Sequence, residues 1–208
     1  MIESGCDLFQ SYHKEITCIY GEASSGKTTF AELAAIEQAK KNKKIVYIDT
    51  ENGFNLERIK QLAGDEFQNV LENIILFKPG RFSEQNRIIK KLPEMKNISL
   101  IVIDTISNHY RVKVREKPDV YNLHMWKQFK ILNELSKNVP VIITNQVYSN
   151  IKKKNIEMIG GERFRKYSNR IIRLENNPRK LIFEKPSGDF VKFEIKSNGV
   201  FKLENKIN

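Results

Sequence analysis

The chain has 208 residues, with 36 Lys and Arg against 25 Asp and Glu, a net charge of +11 and a sequence pI near 9.5. This length is typical of one domain, and 40% hydrophobic residues with only 10 Gly and 6 Pro exclude collagen-like and low-complexity chains. No apolar run reaches about 18 residues and the N-terminus has no apolar signal core, so we expect a cytoplasmic protein without a membrane span. The positive charge favours a polyanionic partner.

Five short apolar runs rich in Ile and Val are separated by polar or helix-like stretches. They lie at 15–20, 44–49, 73–78, 99–104 and 140–145. Because polar and apolar residues alternate only weakly within them, we predict buried strands of a mainly parallel sheet. Repeated strand–helix units of this kind predict an α/β domain with right-handed crossovers.

Two helices are predicted between these strands. Residues 27–41 form the first, and residues 120–136 form the second, with Asp119 as its N-cap. Apolar residues recur along the second helix at three-residue steps: Val120, Leu123, Trp126, Phe129, Leu132 and Leu135. We expect Trp126 to be a core residue because it lies on this stripe.

After residue 167 the pattern changes to short alternating runs. Turn signals separate these runs, among them Asn-Asn-Pro, Pro-Ser-Gly-Asp and Ser-Asn-Gly. Such a pattern predicts antiparallel strands. Because no linker precedes them, we interpret the runs as an antiparallel extension of the same sheet.

A phosphate-binding motif lies between the first strand and the first helix. Residues 21–28 read Gly-Glu-Ala-Ser-Ser-Gly-Lys-Thr, which fits G-x-x-x-x-G-K-[ST]. In such a loop, backbone N–H groups and the helix N-terminus face phosphate oxygens, the lysine neutralises β/γ-phosphate charge and the hydroxyl of Thr28 binds Mg²⁺. The predicted ATP-binding residues are Gly21, Glu22, Ala23, Ser24, Ser25, Gly26, Lys27, Thr28 and Thr29.

Acidic and amide side chains follow three of the predicted strands. Asp104 ends the fourth apolar run, where a carboxylate can reach the Mg²⁺ shell through water. Asp49 ends the second run and Glu51 follows it, and either one can orient the attacking water. Gln146 follows the fifth run as a neutral donor that can touch the γ-phosphate. We therefore expect the catalytic groups at one edge of the sheet.

The order of these motifs resembles the ATPase core of the RecA-type recombinases, most closely the archaeal RadB family. The matching stretches are EITCIYGEASSGKTT, YIDTENGFNLERI, LIVIDTIS and VIITNQV, and the resemblance covers about residues 15–200. It implies a RecA-type P-loop NTPase core in which Glu51 activates water and Asp104 is the Walker B acid. It also implies that Lys27 takes part in catalysis and that Gln146 is a γ-phosphate switch leading into a DNA-binding loop.

Arg58, in the stretch NLERI, matches a position that lies near adenine in archaeal relatives. The resemblance implies a cofactor-binding role for this residue. A solvated helix arginine is the alternative interpretation.

The chain departs from the family pattern at several points. The helix-hairpin-helix domain and the Phe-x-x-Ala polymerisation motif of full-length recombinases do not fit the residues before the first predicted strand. Lys185 is followed by Pro186 and Ser187, where RadB proteins often carry a Lys-His-Arg cluster. In the family a neighbouring protomer completes the ATP site, so these departures imply weak oligomerisation and slow ATP turnover.

A basic segment follows Gln146 directly. Residues 151–173 carry eight Lys and Arg against two acidic residues, a net charge of +6, with Tyr148, Phe164 and Tyr167 nearby. Phosphate neutralisation combined with base stacking is typical of single-stranded DNA sites, although a solvated basic loop is the alternative. The resemblance implies a second DNA loop here and a first one at 107–118. The predicted DNA-binding residues are Lys152, Lys153, Lys154, Arg163, Arg165, Lys166, Arg111 and Lys113.

The motifs together predict a single RecA-like ATPase domain over residues 1–208. Its parts are an N-terminal lead-in (1–14), a nucleotide-binding core (15–147), a basic DNA-binding loop (148–167) and a C-terminal β extension (168–208). The resemblance implies an accessory protein of homologous recombination and DNA repair that binds ATP, Mg²⁺ and single-stranded or branched DNA, with weak ATP hydrolysis and little strand exchange. It implies the main archaeal recombinase and a Holliday-junction resolvase as protein partners.

Two other functions stay open at this point. One is a non-hydrolysing, ATP-dependent regulator or mediator that acts through protein partners, and the other is a RecA-fold signalling ATPase. A small-molecule P-loop kinase fits poorly, because it needs an acceptor pocket and an arginine-bearing lid rather than the stretch NQV followed by a basic segment.

Overall fold

A computed structural model of the protein describes residues 1–150 and 155–203. The strands in these ranges are β1 (Ile2–Glu3), β2 (Ser11–Tyr12), β3 (Ile16–Gly21), β4 (Lys44–Asp49), β5 (Ile74–Phe77), β6 (Ile98–Asp104), β7 (Val141–Asn145), β8 (Val147–Asn150), β9 (Asn155–Met158), β10 (Arg170–Asn176), β11 (Arg179–Lys185), β12 (Ser187–Lys196) and β13 (Gly199–Lys202). The helices are α1 (Lys27–Lys40), α2 (Leu56–Ala63), α3 (Phe67–Asn73), α4 (Phe82–Lys91), α5 (Asn108–Glu116), α6 (Pro118–Ser136) and α7 (Gly161–Tyr167). Short 3-10 turns occupy Gly64–Glu66 and Leu92–Glu94.

Nine strands form one sheet in the order β13-β12-β11-β10-β3-β7-β6-β4-β5. All pairs from β10 to β5 are parallel, whereas β10 to β13 pair antiparallel. The pairs β1–β2 and β8–β9 are separate two-stranded sheets. The predicted architecture, a mainly parallel sheet with an antiparallel C-terminal extension, is confirmed.

The four central strands end at the same edge of the sheet, and each is followed by a motif residue. The register pairs Asp49 at the end of β4 with Asp104 at the end of β6. It also pairs Tyr20 on β3 with Asn145, the last residue of β7. Since parallel strands share a carboxyl edge, the P-loop and the acidic strand ends meet there.

Both faces of the sheet are covered, which explains why the apolar runs show little alternation. On β4, Ile45 and Tyr47 belong to the core under α1, α2 and α3. Val46 and Ile48 belong to the core under α4, α5 and α6. Moving one such side chain from water into the core stabilises the fold by about 1.5–3 kcal/mol. The central strands therefore stabilise the packing of helices on both faces of the sheet.

Helix α6 differs from its prediction in its start and in its exposed face. It begins at Pro118 after Lys117, with Asp119 in the first turn, so the predicted Asp119 N-cap is wrong. Trp126 is 42% exposed, so the prediction that it is a core residue is also wrong. A helix turns about 100° per residue, so positions three apart drift by about 60° per step and cannot all face one core. The buried positions of α6 are Met125, Gln128, Phe129, Leu132 and Ser136.

No helix in the ranges 1–150 and 155–203 combines the length and the hydropathy needed to cross a bilayer.

Candidate functional site

The P-loop wraps tightly between β3 and α1. A Cβ atom on Gly21 would lie 2.4 Å from the backbone oxygen of Leu174, so only glycine fits at the end of β3. Gly26 has a φ of 104°, in the left-handed region that favours glycine, and a Cβ there would lie 2.7 Å from Cδ1 of Ile195. Both glycines of the motif are therefore required by the backbone path and by close neighbours.

Residues of the C-terminal extension hold the outer side of the loop. The Asn176 side-chain amide donates to the carbonyl oxygen of Ala23 at 2.9 Å, and the Arg179 guanidinium donates to that of Ser24 at 3.0 Å. Ile195 of β12 contacts the cleft beside the loop. No local motif indicates these residues, because their contacts to the loop join parts of the chain far apart in sequence.

A cleft of about 450 Å³ opens over the loop, within the range of small-molecule sites. Its lining includes most of the predicted ATP-binding residues: Gly21, Ala23, Ser24, Gly26, Lys27, Thr28 and Thr29. Gly26, the N-cap residue of α1, provides no side-chain cap, and the first turn has no acidic residue. The free N–H groups and the positive end of the helix dipole therefore fit an anion such as a phosphate group.

Lys27 brings a positive charge into this cleft. Its Nζ donates to the carbonyl oxygens of Gly21 at 3.0 Å and Glu22 at 2.7 Å. Burial lowers the pKa of Lys27, while Glu51, Asp104 and Glu22 oppose this shift electrostatically. A buried ammonium group held by carbonyl oxygens alone suits a polyanionic ligand, which would offset its desolvation.

Asp104 and Thr28 form a cluster of oxygen atoms beside the lysine. The buried Asp104 carboxylate accepts hydrogen bonds from Tyr47 at 3.1 Å and from Thr144. Burial raises the pKa of Asp104, and hydrogen bonds from Thr144, Thr28 and Tyr47 act against this rise. A carboxylate next to a threonine hydroxyl provides the oxygen ligands that Mg²⁺ prefers, so these residues fit the ion.

Glu51 and Gln146 meet in the cleft. The Gln146 side-chain amide donates to Oε1 of Glu51 at 2.5 Å, and both residues line the cleft with the P-loop. The two residues follow the ends of β4 and β7, and they are 95 positions apart in sequence. The structure thus brings together the predicted water-activating carboxylate and the predicted γ-phosphate switch.

Asp49 has a different position from Glu51. Its buried carboxylate accepts from the backbone N–H groups of Glu51 at 3.2 Å, Gly53 at 3.0 Å and Phe54 at 3.0 Å. The Lys78 ammonium lies 3.7 Å from Oδ2. Of the two carboxylates at the end of the second apolar run, Asp49 therefore holds the turn and Glu51 projects from it into the cleft.

Arg58 is not among the residues that line the cleft. Its guanidinium donates to the backbone oxygens of Ser197 at 2.7 Å and Lys196 at 3.1 Å. It thereby ties α2 to the turn between β12 and β13, next to Ile195 of the cleft wall.

The residues predicted for the first DNA loop lie on α5 rather than on a loop. Arg111 lines the nucleotide cleft, a position that the sequence did not indicate. Lys113 makes an ion pair with Glu116, with both carboxylate oxygens 3.0 Å from Nζ. Arg111 is thus the residue of this pair that reaches the cleft.

The basic segment after Gln146 forms β8, β9 and α7 in its described part, not an open loop. Phe164 is 2% exposed and packs against Phe129, with ring centroids 4.9 Å apart. Tyr167 stacks on the same ring at 5.0 Å. Phe164 is therefore a core residue and not a stacking platform, because the helical period turns it towards α6.

The basic residues of α7 differ in their surroundings. Arg165 forms an ion pair with Glu184 at 2.5 Å and donates to the Tyr20 hydroxyl at 3.3 Å, so it is engaged inside the domain. Arg163 and Lys166 are exposed. The remaining predicted contacts lie outside the described residues: Lys152, Lys153 and Lys154.

A second groove, of about 510 Å³, opens near the other end of β6 and β4. Its lining is mostly apolar, with Val46, Ile101 and Leu135 among its members, and includes none of the nucleotide motifs. The smaller cleft over the P-loop is therefore the site with the required chemistry.

Comparisons with known proteins agree with this geometry. Residues 9–190 match the Rad51 family model. "DNA repair and recombination protein RadB" of Methanocaldococcus jannaschii is 39% identical over 197 residues, 89% of this chain and 92% of the relative. The protein of the same name from Methanococcus maripaludis is 36% identical over 198 residues, 90% of this chain and 91% of the relative.

Among solved structures, "Crystal structure of the RadB recombinase" aligns with a TM-score of 0.81 and 29% identity, covering 98% of this chain and 100% of that one. The chain therefore belongs to the Rad51 family of RecA-type proteins, and within it to the RadB proteins.

Proposed function

We propose that this protein is an ATP- and DNA-binding accessory protein of homologous recombination and DNA repair, with weak ATP hydrolysis and little strand exchange. The observation that carries the proposal is the hydrogen bond between Gln146 and Glu51 at 2.5 Å, in the cleft that also contains Lys27 and Thr28. The printed name of the RadB relatives, DNA repair and recombination protein, supports the same role.

Each cleft residue has a distinct task in this proposal. Backbone N–H groups of the P-loop and the start of α1 hold the phosphates, and Lys27 neutralises their charge. Thr28 and Asp104 hold Mg²⁺, directly or through water. When bound, the ion stabilises negative charge on the phosphate oxygens. Glu51 orients and deprotonates the attacking water, and Gln146 offers its amide to the γ-phosphate.

Gln146, which lies between β7 and β8, links the cleft to the basic segment. The Gln146 carbonyl accepts from the N–H of Ile159 at 2.9 Å, and the Asn145 side-chain amide donates to the Ile159 carbonyl at 2.9 Å. Ile159 lies two residues before α7. A displacement of Gln146 by the γ-phosphate would therefore move the start of α7 and change how the segment meets DNA.

The partners follow from the same resemblance and from the charge. The net charge of +11 favours a polyanionic partner, and the resemblance to RadB proteins makes single-stranded or branched DNA that partner. We include the main archaeal recombinase and a Holliday-junction resolvase as protein partners. Self-association is weak in this proposal, so a neighbouring protomer seldom completes the ATP site and turnover stays slow.

ATP turnover with and without single-stranded DNA, at low and moderate salt, tests the proposal. We expect slow turnover in the wild type, loss of turnover and of ATP binding in Lys27→Ala, and no change in Lys43→Ala, an exposed lysine three residues past the end of α1. Strong stimulation by DNA would contradict the accessory role and indicate an active recombinase.

Glu51→Gln separates the accessory ATPase from a regulator that does not hydrolyse ATP. If hydrolysis matters, this variant binds ATP but loses turnover and its effect on recombination. Full function in a Glu51→Gln variant that still binds ATP would favour the regulator acting through protein partners.

A further inference from the structure

Helix α6 leaves an apolar strip in solvent. Trp126 is 42% exposed, and Leu123 and Val120 on the preceding turns are 50% and 46% exposed. Large apolar side chains grouped on a surface mark binding sites more often than single ones do. An exposed tryptophan here has no role in the ATP site, so its surroundings need a separate explanation.

A pocket of about 180 Å³ opens beside Trp126 where α5, α6 and α7 meet. We call it the three-helix pocket. Aromatic rings make up most of its wall, together with one amide and one guanidinium; the members used below are Tyr110, Asn122, Trp126, Phe129, Arg163 and Tyr167. It lies apart from the nucleotide cleft, with which it shares no lining residue.

The size of the pocket suits one planar ring. A protein cavity of about 150 Å³ accommodates benzene, so about 180 Å³ admits a single aromatic group and little more. Two sides of the wall are already fixed, because Tyr167 stacks on Phe129 with centroids 5.0 Å apart. This stacked pair forms the inner part of the wall, and Trp126 is its exposed face.

Polar groups in the wall are placed to recognise the edge of a ring. The Tyr110 hydroxyl donates to Oδ1 of Asn122 at 2.6 Å, which orients the amide. Among the described residues nothing bonds to Nδ2 of Asn122, so that donor is available to a ligand. A purely apolar ligand would leave it unsatisfied, which is costly.

The charges around the pocket are positive. Nζ of Lys130 lies 5.6 Å from the centroid of the Trp126 ring. Arg163, in the wall itself, makes no ion pair in the part of the chain that the structure describes. Arg165 on the same helix is by contrast paired with Glu184, so Arg163 and Lys166 are the cations that α7 leaves for a partner.

We propose that the three-helix pocket binds one unpaired nucleobase of single-stranded DNA, which stacks on Trp126 while Arg163 and Lys130 neutralise the flanking phosphates. Aromatic stacking combined with cations on the rim is the usual chemistry of single-strand binding. An apolar protein segment fits less well, because the pocket is only ring-sized and its rim is cationic. The inference rests on the DNA binding proposed above and names the site where a base is held.

Trp126 is the only tryptophan in the chain, so its emission reports on this pocket alone. The experiment titrates the full-length protein with a fluorescently labelled deoxythymidine oligonucleotide, measuring anisotropy for binding and tryptophan emission for stacking. We expect emission to be quenched in step with the anisotropy. The same sequence in duplex form should bind without quenching, because its bases are paired.

Variants test the ring itself. Trp126→Ala and Trp126→Leu should weaken binding about 5- to 150-fold, the usual effect of removing one stacked aromatic. Trp126→Phe should stay within a few-fold of wild type, and so should the control Leu123→Ala, on the same exposed strip. Circular dichroism melting confirms that each variant is folded. If the alanine variant does not fold, quenching of the wild-type tryptophan and the affinity of Trp126→Leu decide, because Trp126→Phe has no tryptophan emission.

The outcomes separate this inference from the proposed function. Oligonucleotide binding by anisotropy with unchanged emission, and equal affinity for Trp126→Leu, overturns the base pocket while DNA binding stands. No binding of any oligonucleotide by the wild type overturns both.

Discussion

Replacing Asp49 by asparagine should destabilise the protein, because this carboxylate holds the turn that carries Glu51. Oδ1 accepts from the N–H groups of Glu51 and Gly53, and Oδ2 accepts from that of Phe54. An asparagine keeps one acceptor oxygen and points an NH₂ group at the remaining donors. One or two backbone N–H groups then lose their partner.

The size of the effect follows from these contacts. Leaving a buried donor unsatisfied costs about 1–3 kcal/mol, so Asp49→Asn should lower the free energy of unfolding by about 2–4 kcal/mol. For a domain of this size, 1 kcal/mol shifts Tm by about 2–4 °C, which gives a decrease of about 4–16 °C. Glu51→Gln, whose side chain lies in the open cleft, should change Tm by less than about 2 °C.

Differential scanning fluorimetry and urea unfolding of both variants measure this contrast, and ATP turnover is followed in parallel. We expect Asp49→Asn to lose stability and to lose turnover only as a consequence of the loosened turn, whereas Glu51→Gln loses turnover at full stability. An Asp49→Asn variant with a wild-type Tm, or a Glu51→Gln variant that melts equally early, would refute this division of roles.

Two further predictions concern buried groups. Phe164→Ala should cost about 3–5 kcal/mol in urea unfolding because its ring is packed against Phe129; a loss below about 1 kcal/mol would mean that α7 is not docked as described. Burial raises the pKa of Glu32 to about 8, while an unfolded glutamate ionises near 4.5, so the wild type should lose stability as pH rises between these values. Glu32→Gln lacks this ionisation. Its free energy of unfolding should match that of the wild type near pH 4 and exceed it by several kcal/mol above about pH 8. Unfolding free energies of the two proteins that change in parallel with pH would contradict this.

The parallel core could be predicted from sequence because strands buried on both faces have apolar residues on both faces, which gives runs with little alternation. The runs that became β3, β4, β5, β6 and β7 are apolar at most positions, and the ends of β4 and β6 place Asp49 and Asp104 side by side. The P-loop residues were likewise predictable, since their spacing reflects a local backbone path. The apolar runs and the P-loop spacing depend on residues that are close together in sequence.

Features that depend on contacts between residues far apart in the sequence could not be predicted. The three-residue stripe on α6 does not reveal which face meets the sheet, so it wrongly predicts a core position for Trp126. Arg165 carries the same charge as its neighbours, but Glu184 on a later strand engages it. The turn of α7 that buries Phe164 depends on Phe129, which lies on another helix. None of these pairings leaves a periodic or local signal.

The contacts between the P-loop and the C-terminal extension bear on the order of folding. Asn176 and Arg179 bond to loop residues 153 and 155 positions earlier, and β10 lies beside β3 in parallel register. Contacts across such separations carry a large loop-closure entropy and form slowly. On the ribosome, the nascent chain therefore presents its phosphate loop long before the strands that support it emerge. High-affinity nucleotide binding should arise late in synthesis, only after β12 has left the exit tunnel.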